Sequence, residues 1–234
     1  MNQVYEATDA GLVRSGNEDD AAVFDPSVYV VADGMGGHAA GEIASHLLVK
    51  TVRAQLKGVS GIGEEQLRRA VQDANAAILH SEKEHPAYQG MGTTATLLHV
   101  SGSTAFWAHV GDSRLYLLRG DRFCQITRDH SYVEDLVEQG EITEAEARIH
   151  PRRNLLTRAV GIETELVVDT GSFPLEAGDV LLLATDGLTK LVSDPEIVML
   201  LRSGAADPAA ELIRAALAAG GTDNITAIVV VYAS

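Results

Sequence analysis

Two apolar runs in this chain each end on an aspartate-glycine pair, and this arrangement narrows the possible folds more than any other feature. Val28-Tyr29-Val30-Val31-Ala32 leads directly into Asp33-Gly34-Met35-Gly36-Gly37-His38, and Val180-Leu181-Leu182-Leu183-Ala184-Thr185 leads into Asp186-Gly187. Both runs have the length and character of buried strands. Each therefore delivers one carboxylate to the end of a sheet on a glycine turn. Gly111-Asp112-Ser113-Arg114 and Thr222-Asp223-Asn224 add two further acidic turns. Carboxylates collected at one rim repel one another unless a cation lies between them, so a fold that gathers these four is expected to hold a divalent metal.

An Asp-Gly pair is also a common β-hairpin turn. A hairpin turn is followed by a second strand, and neither pair meets that condition. Asp33-Gly34 runs into more glycine and then an amphipathic stretch, while Leu188-Thr189-Lys190-Leu191-Val192 lacks strand alternation. Both pairs are read as ending sheets.

The chain has 234 residues, 46% of them hydrophobic, which suits one large domain with a substantial core. A formal net charge of −15 argues against nucleic acid or an anionic membrane as a partner, since both select basic patches. Cys124 is the only cysteine, so no intramolecular disulfide can form, in keeping with a reducing compartment. Met1-Asn2-Gln3-Val4-Tyr5-Glu6 lacks both parts of a signal peptide, and the longest apolar runs are too short to span a bilayer. A cytoplasmic, monomeric protein is expected.

Strands are expected near 3–8, 22–25, 28–32, 92–101, 104–110, 114–119, 122–127, 164–173, 179–185 and 225–232. Ala40, Ile43, Ala44, Leu47, Leu48 and Val52 recur at helical spacing, as do Leu67, Ala70, Val71, Ala74 and Ile78. A second helix pair is expected near 194–203 and 208–219. The order is strands, helix pair, strands, helix pair, final strand. It does not alternate as a parallel α/β fold would, so an α+β fold of antiparallel sheets covered by helices is expected. Residues 130–160 are polar and of mixed charge, with Pro151, Arg152 and Arg153 among them. They read as short helices and loops over the surface, a length of connection that is often functional.

Gly34-Met35-Gly36-Gly37-His38-Ala39 also satisfies a dinucleotide-binding fingerprint. Asp33 would face the pyrophosphate, however, and Val52, Arg53 and Lys57 stand where an acidic ribose ligand is needed. Arg14-Ser15-Gly16-Asn17-Glu18-Asp19-Asp20 reads either as a solvated charged loop or as a phosphate-gripping arginine beside acidic metal ligands. His38 is structural or, near a metal-bound phosphate, a proton donor to the leaving alkoxide. Cys124 lies between Phe123 and Gln125 with no activating histidine nearby, so it is read as packing. No Gly-x-Ser-x-Gly nucleophile elbow is present.

Six segments together resemble the metal-dependent Ser/Thr protein phosphatases of type 2C in their compact bacterial form. They are Gly11-Leu12-Val13-Arg14-Ser15-Gly16-Asn17-Glu18-Asp19, Ala32-Asp33-Gly34-Met35-Gly36-Gly37-His38, Gly90-Met91-Gly92-Thr93-Thr94-Ala95-Thr96, Val110-Gly111-Asp112-Ser113-Arg114, Ala184-Thr185-Asp186-Gly187-Leu188 and Thr222-Asp223-Asn224-Ile225-Thr226. The resemblance spans Gly11 to Tyr232. It implies one catalytic domain over 1–234, built as a central antiparallel β-sandwich flanked on both sides by helix pairs, with a flap near 130–160.

The resemblance further implies two or three Mn²⁺ or Mg²⁺ ions. Asp33 would bridge two of them, with Asp186 and Asp223 on the first and the Gly34 carbonyl on the second. Glu18 and Asp19 would hold the second ion directly or through water, and Asp112 a weaker third. Arg14 would grip the substrate phosphate. Met35 stands where eukaryotic members carry a proposed general acid, and the bacterial pattern puts its histidine at His38. The implied activity is hydrolysis of phosphoserine and phosphothreonine by direct attack of a metal-bridging hydroxide. The implied partners are phosphorylated proteins, including a Ser/Thr kinase or its substrates. A catalytically silent, phosphoprotein-binding relative is the alternative.

Overall fold

The computed structural model describes residues 2–36 and 40–233. The central strands are apolar at nearly every position because both of their faces are covered. Along β3 (Val28–Met35), Val28, Val30 and Ala32 pack with helices, while Tyr29 and Val31 pack with the opposite sheet. The same two-residue period divides β10 (Val180–Ala184). Leu182 and Ala184 lie on the helix side, Leu181 and Leu183 on the sheet side. It also divides β11 (Ile225–Val231), where Ala227 and Val229 face helices and Ile228 and Val230 face the second sheet. An antiparallel sheet buried on both faces loses the usual alternation of apolar and polar residues, which explains the continuous runs in the sequence.

Two antiparallel sheets result. One has the order β1 (Gln3–Asp9), β11, β10, β7 (Arg114–Arg119), β8 (Arg122–Gln125). The other runs β2 (Asp19–Phe24), β3, β5 (Ala95–Ser101), β6 (Thr104–Val110), β9 (Asp169–Pro174), with the short β4 (Gly92–Thr93) on β3. Helices α1 (Ala40–Leu56) and α2 (Glu64–Glu84) cover the second sheet with Leu48, Val52, Leu67, Val71 and Ile78. Helices α5 (Asp186–Thr189), α6 (Asp194–Leu201) and α7 (Pro208–Ala218) cover the first, burying Leu188, Ile197 and Leu212. The expected α+β sandwich between helix pairs is the observed architecture. Between β8 and β9 the chain makes α3 (Tyr132–Glu138) and α4 (Glu144–Ile149) within the 130–160 segment. No helix among the described residues is long and apolar enough to cross a membrane.

Several local expectations are corrected. Strand β3 does not stop at Ala32: Asp33 lies within it, and Gly34 and Met35 pair with Thr93 and Gly92. Glycine-rich sequence here permits close strand approach and not a turn. Strand β2 begins at Asp19, and the expected strand at 92–101 is broken at Thr94. Residues 164–168 are not a strand. Leu166 and Val168 pack against the α1/α2 core, while Val167 between them is exposed. Cys124 is exposed on the edge strand β8 and does not serve packing.

Candidate metal centre

The pairing register of β2 and β3 sets Asp19 directly opposite Asp33. The alternation that sends Tyr29 and Val31 between the sheets also sends Asp33 there, at the sandwich rim. Like charges facing each other across a ladder are destabilising, and three more carboxylates converge on this pair. Asp186 opens α5 just beyond β10, Asp223 precedes β11, and Asp112 follows β6. A cleft of about 660 Å³ is lined by Arg14, Glu18, Asp33, Gly34, Asp112, Asp186 and Asp223. Asp19 is not among the lining residues; its Oδ2 accepts hydrogen bonds from Thr185 Oγ1 at 2.9 Å and Thr226 Oγ1 at 2.6 Å. His38 lies outside the described residues.

The electrostatic consequence is large. Burial, then the charges of Asp186, Asp19, Asp112 and Asp223, hold the Asp33 carboxyl well above the usual carboxylate range. Burial pushes Asp19 up to about 7 despite its two hydroxyl donors. Asp112 also rises to about 7, through burial and then Asp186, against the opposing pull of Lys190. Burial raises Glu18 as well. Asp19 Oδ1 is buried with no hydrogen-bond partner among the described residues. An orphaned carboxylate oxygen inside an all-oxygen acidic cluster suits a hard divalent cation, so the residues present fit the group. Among the described residues no three of these side chains close into a tight ligand shell, and two cationic side chains stand between them.

The first of these is Arg14, expected to be free for phosphate. It reaches the cleft, but its Nε and Nη2 each lie 2.9 Å from the Asp223 carboxylate. The second is Lys190, which sequence reasoning passed over. Its Nζ donates to Asp186 and to Asn154 Oδ1 at 2.9 Å, and lies 3.6 Å from Asp112 Oδ2.

Other supporting residues were also missed. Thr94 Oγ1 accepts the Asp33 N–H at 2.9 Å, and Thr94 N–H donates to the Asp33 carbonyl at 2.9 Å. Asn224 takes the Glu18 N–H at 2.8 Å and donates to the Ala10 and Gly16 carbonyls, fixing the loop that carries Arg14. The only sequence signals for these two were Thr94's place in the Gly90–Thr96 segment and Asn224's place beside Asp223. Gly34 and Gly41 touch backbone to backbone, so a Cβ on Gly34 would overlap the carbonyl oxygens of Gly41 and Glu18.

The far wall of the cleft comes from residues after α4, including Asn154, Leu155, Thr157, Arg158 and Ile162. His130 ties this wall to the acidic rim. Its Nδ1 accepts the Gly111 N–H at 3.1 Å, its backbone N–H donates to the Gly111 carbonyl at 2.7 Å, and its Nε2 lies 3.1 Å from Asp169 Oδ2. Arg158 donates to the other oxygen of Asp169 at 2.9 Å.

Comparison with known proteins decides its class. A family model described as protein phosphatase 2C matches residues 14–220. The chain belongs to the protein phosphatase 2C family. Its activity is accordingly that of a metal-dependent Ser/Thr phosphatase. A serine/threonine phosphatase stp from Listeria innocua is 38% identical over 234 residues, covering 95% of this chain and 93% of that protein. The crystal structure of the Mycobacterium tuberculosis serine/threonine phosphatase PstP/Ppp superposes with a TM-score of 0.93 at 39% identity, over 100% of this chain and 99% of the other. The PstP catalytic domain in complex with 2 manganese ions superposes with a TM-score of 0.89 at 38% identity, again over 100% and 99%.

Proposed function

We propose that Asp33 is the shared ligand of two divalent cations, Mn²⁺ or Mg²⁺, in a phosphatase acting on phosphoserine and phosphothreonine in proteins. Asp186 and Asp223 would complete the first ion, and the Gly34 carbonyl the second. Glu18 and Asp19 would hold the second directly or through water, and Asp112 a third. The observation that carries this reading is Asp33 facing Asp19 across the β2–β3 ladder with Asp186, Asp112 and Asp223 around it. Bound divalent cations activate water as a nucleophile at neutral pH and offset charge on phosphoryl oxygens.

The chain's own groups do the rest. Thr185 and Thr226 hold Asp19 by its Oδ2, leaving Oδ1 for a ligand or its water. Thr94 holds both the N–H and the carbonyl of Asp33, which fixes the backbone from which the carboxylate projects. Arg14 would exchange Asp223 for the incoming phosphate, since a guanidinium fork suits both. That exchange frees Asp223 at the moment substrate binds. His38 is proposed as proton donor to the leaving alkoxide. Residues 1–234 would then form one catalytic domain, with 130–160 as a flap whose Leu155, together with Ile162 just beyond it, lines the cleft and would meet the substrate polypeptide. Phosphorylated proteins, among them a Ser/Thr kinase or its substrates, are the proposed partners.

The test is turnover of a phosphothreonine peptide by metal-stripped protein, before and after Mn²⁺ or Mg²⁺ is restored. Activity that appears only with metal and disappears with a chelator supports the reading. Full turnover by the stripped protein overturns it.

A further inference from the structure

The acidic rim contains a cation of its own. Lys190 follows α5, four residues after Asp186, and an i,i+4 pair of this kind is ordinarily a minor helix-surface contact. Three observations set this one apart. Its ammonium reaches a second carboxylate on a different strand connection, Asp112, at 3.6 Å. It donates to Asn154 Oδ1 at 2.9 Å on the opposite wall of the cleft. It is also partly shielded, with 34% of its side chain exposed, while Asp186 and Asp112 retain only 14% and 9%. A charge in such a place is poorly screened by salt.

We infer that Lys190 is a tethered counter-cation for the Asp112–Asp186 carboxylate pair, which weakens divalent-metal binding there and ties that pair to the cleft wall at Asn154. This rests on the reading of Asp112 and Asp186 as metal ligands. A monovalent ammonium on a four-carbon stem satisfies part of the pair's charge at all times. A divalent ion entering at Asp112 must displace it or bind beside it, and both are unfavourable. The ions shared by Asp33 are less affected: Lys190 reaches the first of them only through Asp186 and touches neither Asp33 nor Asp223 by hydrogen bond or ion pair among the described residues, whereas at the third ion it stands beside both Asp112 and Asp186. The lysine therefore sets a gap in affinity between the tight ions and the weakest one.

The test is a calorimetric Mn²⁺ titration of the purified, metal-stripped protein, with thermal unfolding of the same samples. Lys190→Met keeps the stem and removes the charge, and Lys190→Arg keeps the charge. In Lys190→Met the weakest class of Mn²⁺ site is expected to tighten on the order of tenfold, as expected for removal of one nearby positive charge. The stripped Lys190→Met protein should also melt lower than wild type, having lost its internal counter-ion. Lys190→Arg should titrate like wild type, and adding Asp112→Asn to Lys190→Met should abolish the gain. An unchanged isotherm in Lys190→Met overturns the inference. So does an equal gain in Lys190→Arg, or a gain that persists with Asp112→Asn. If Asp112→Asn alone leaves every wild-type Mn²⁺ site unchanged, the reading of Asp112 as a ligand fails instead, separately from the role of the lysine.

Discussion

At the scale of single residues, the site ranks its carboxylates. Asp33 is repelled by four others and is the proposed shared ligand of two ions, so Asp33→Asn should weaken both together. The loss should exceed the roughly 10–100-fold seen when a supporting partner of a metal ligand is removed. Asp112→Ala should be milder, since Asp112 already has Lys190 nearby and serves only the third ion. Circular dichroism would verify that both variants fold, and equal, complete loss of turnover in both would contradict the ranking. Arg14 makes a different prediction. Charge-assisted hydrogen bonds contribute about 1.5–3 kcal/mol, so Arg14→Ala should raise KM for a phosphopeptide roughly ten- to a hundredfold. Asp223, released from its partner, should bind Mn²⁺ no more weakly than before. A collapse of Mn²⁺ affinity with unchanged KM would assign Arg14 to organising the Glu18 loop.

At the scale of elements, the close approach of α1 to β3 decides whether the site can form. A Cβ at Gly34 would overlap backbone oxygens of Gly41 and Glu18, and one at Gly187 would overlap the Asn224 carbonyl. These neighbours are backbone and cannot rotate away. Gly34→Ala should therefore cost at least about 1–3 kcal/mol, lowering Tm by at least roughly 3 °C. An unfolding scan at normal Tm would mean that α1 can shift without cost.

The same elements explain what the sequence could reveal. The runs Val28–Ala32 and Val180–Ala184 were legible because burial on two faces demands unbroken apolar residues. The aspartates were legible because a charge at the end of a buried strand is costly unless a partner or a cation meets it there. Thr94 and Asn224 were not, since their site partners Asp33, Glu18, Ala10 and Gly16 lie 61 to 214 residues away. Lys190 was not, because its Asp186 neighbour reads as an ordinary i,i+4 pair while Asn154 lies 36 residues away. The extension of β3 through Asp33 was hidden because glycine carries no strand signature, and only pairing with β4 reveals it. The exposure of Cys124 was hidden for the opposite reason. Its neighbours look like a strand interior, and nothing local marks β8 as an edge.

At the scale of the whole molecule, the metal site should act as a pH-dependent contributor to stability. Asp19 and Asp112 rise to about 7 in the folded protein, and Asp33 rises well above its ordinary value. A folded-state carboxyl with a raised pKa binds more protons than the unfolded chain between about pH 4 and its folded value, so stability from this cluster falls as pH climbs through that window. Two buried histidines oppose this trend. His109 falls to about 4, chiefly through burial, and His130 is lowered for the same reason, so each favours the fold as pH rises toward 6.5. The raw Tm of the stripped protein therefore mixes two signs. The difference in Tm with and without saturating Mn²⁺ isolates the carboxylates, because the metal must displace their protons while the buried His109 ring is the same in both samples. That difference should be small near pH 5.5 and grow through pH 7 as Asp19 and Asp112 give up their protons, changing on the order of 5 °C overall. Scanning calorimetry across this range at fixed ionic strength checks it. A Tm gain from Mn²⁺ that is flat between pH 5.5 and 8 would show that protons and metal do not compete for these carboxylates, and the rim would then lose its assignment as the metal centre.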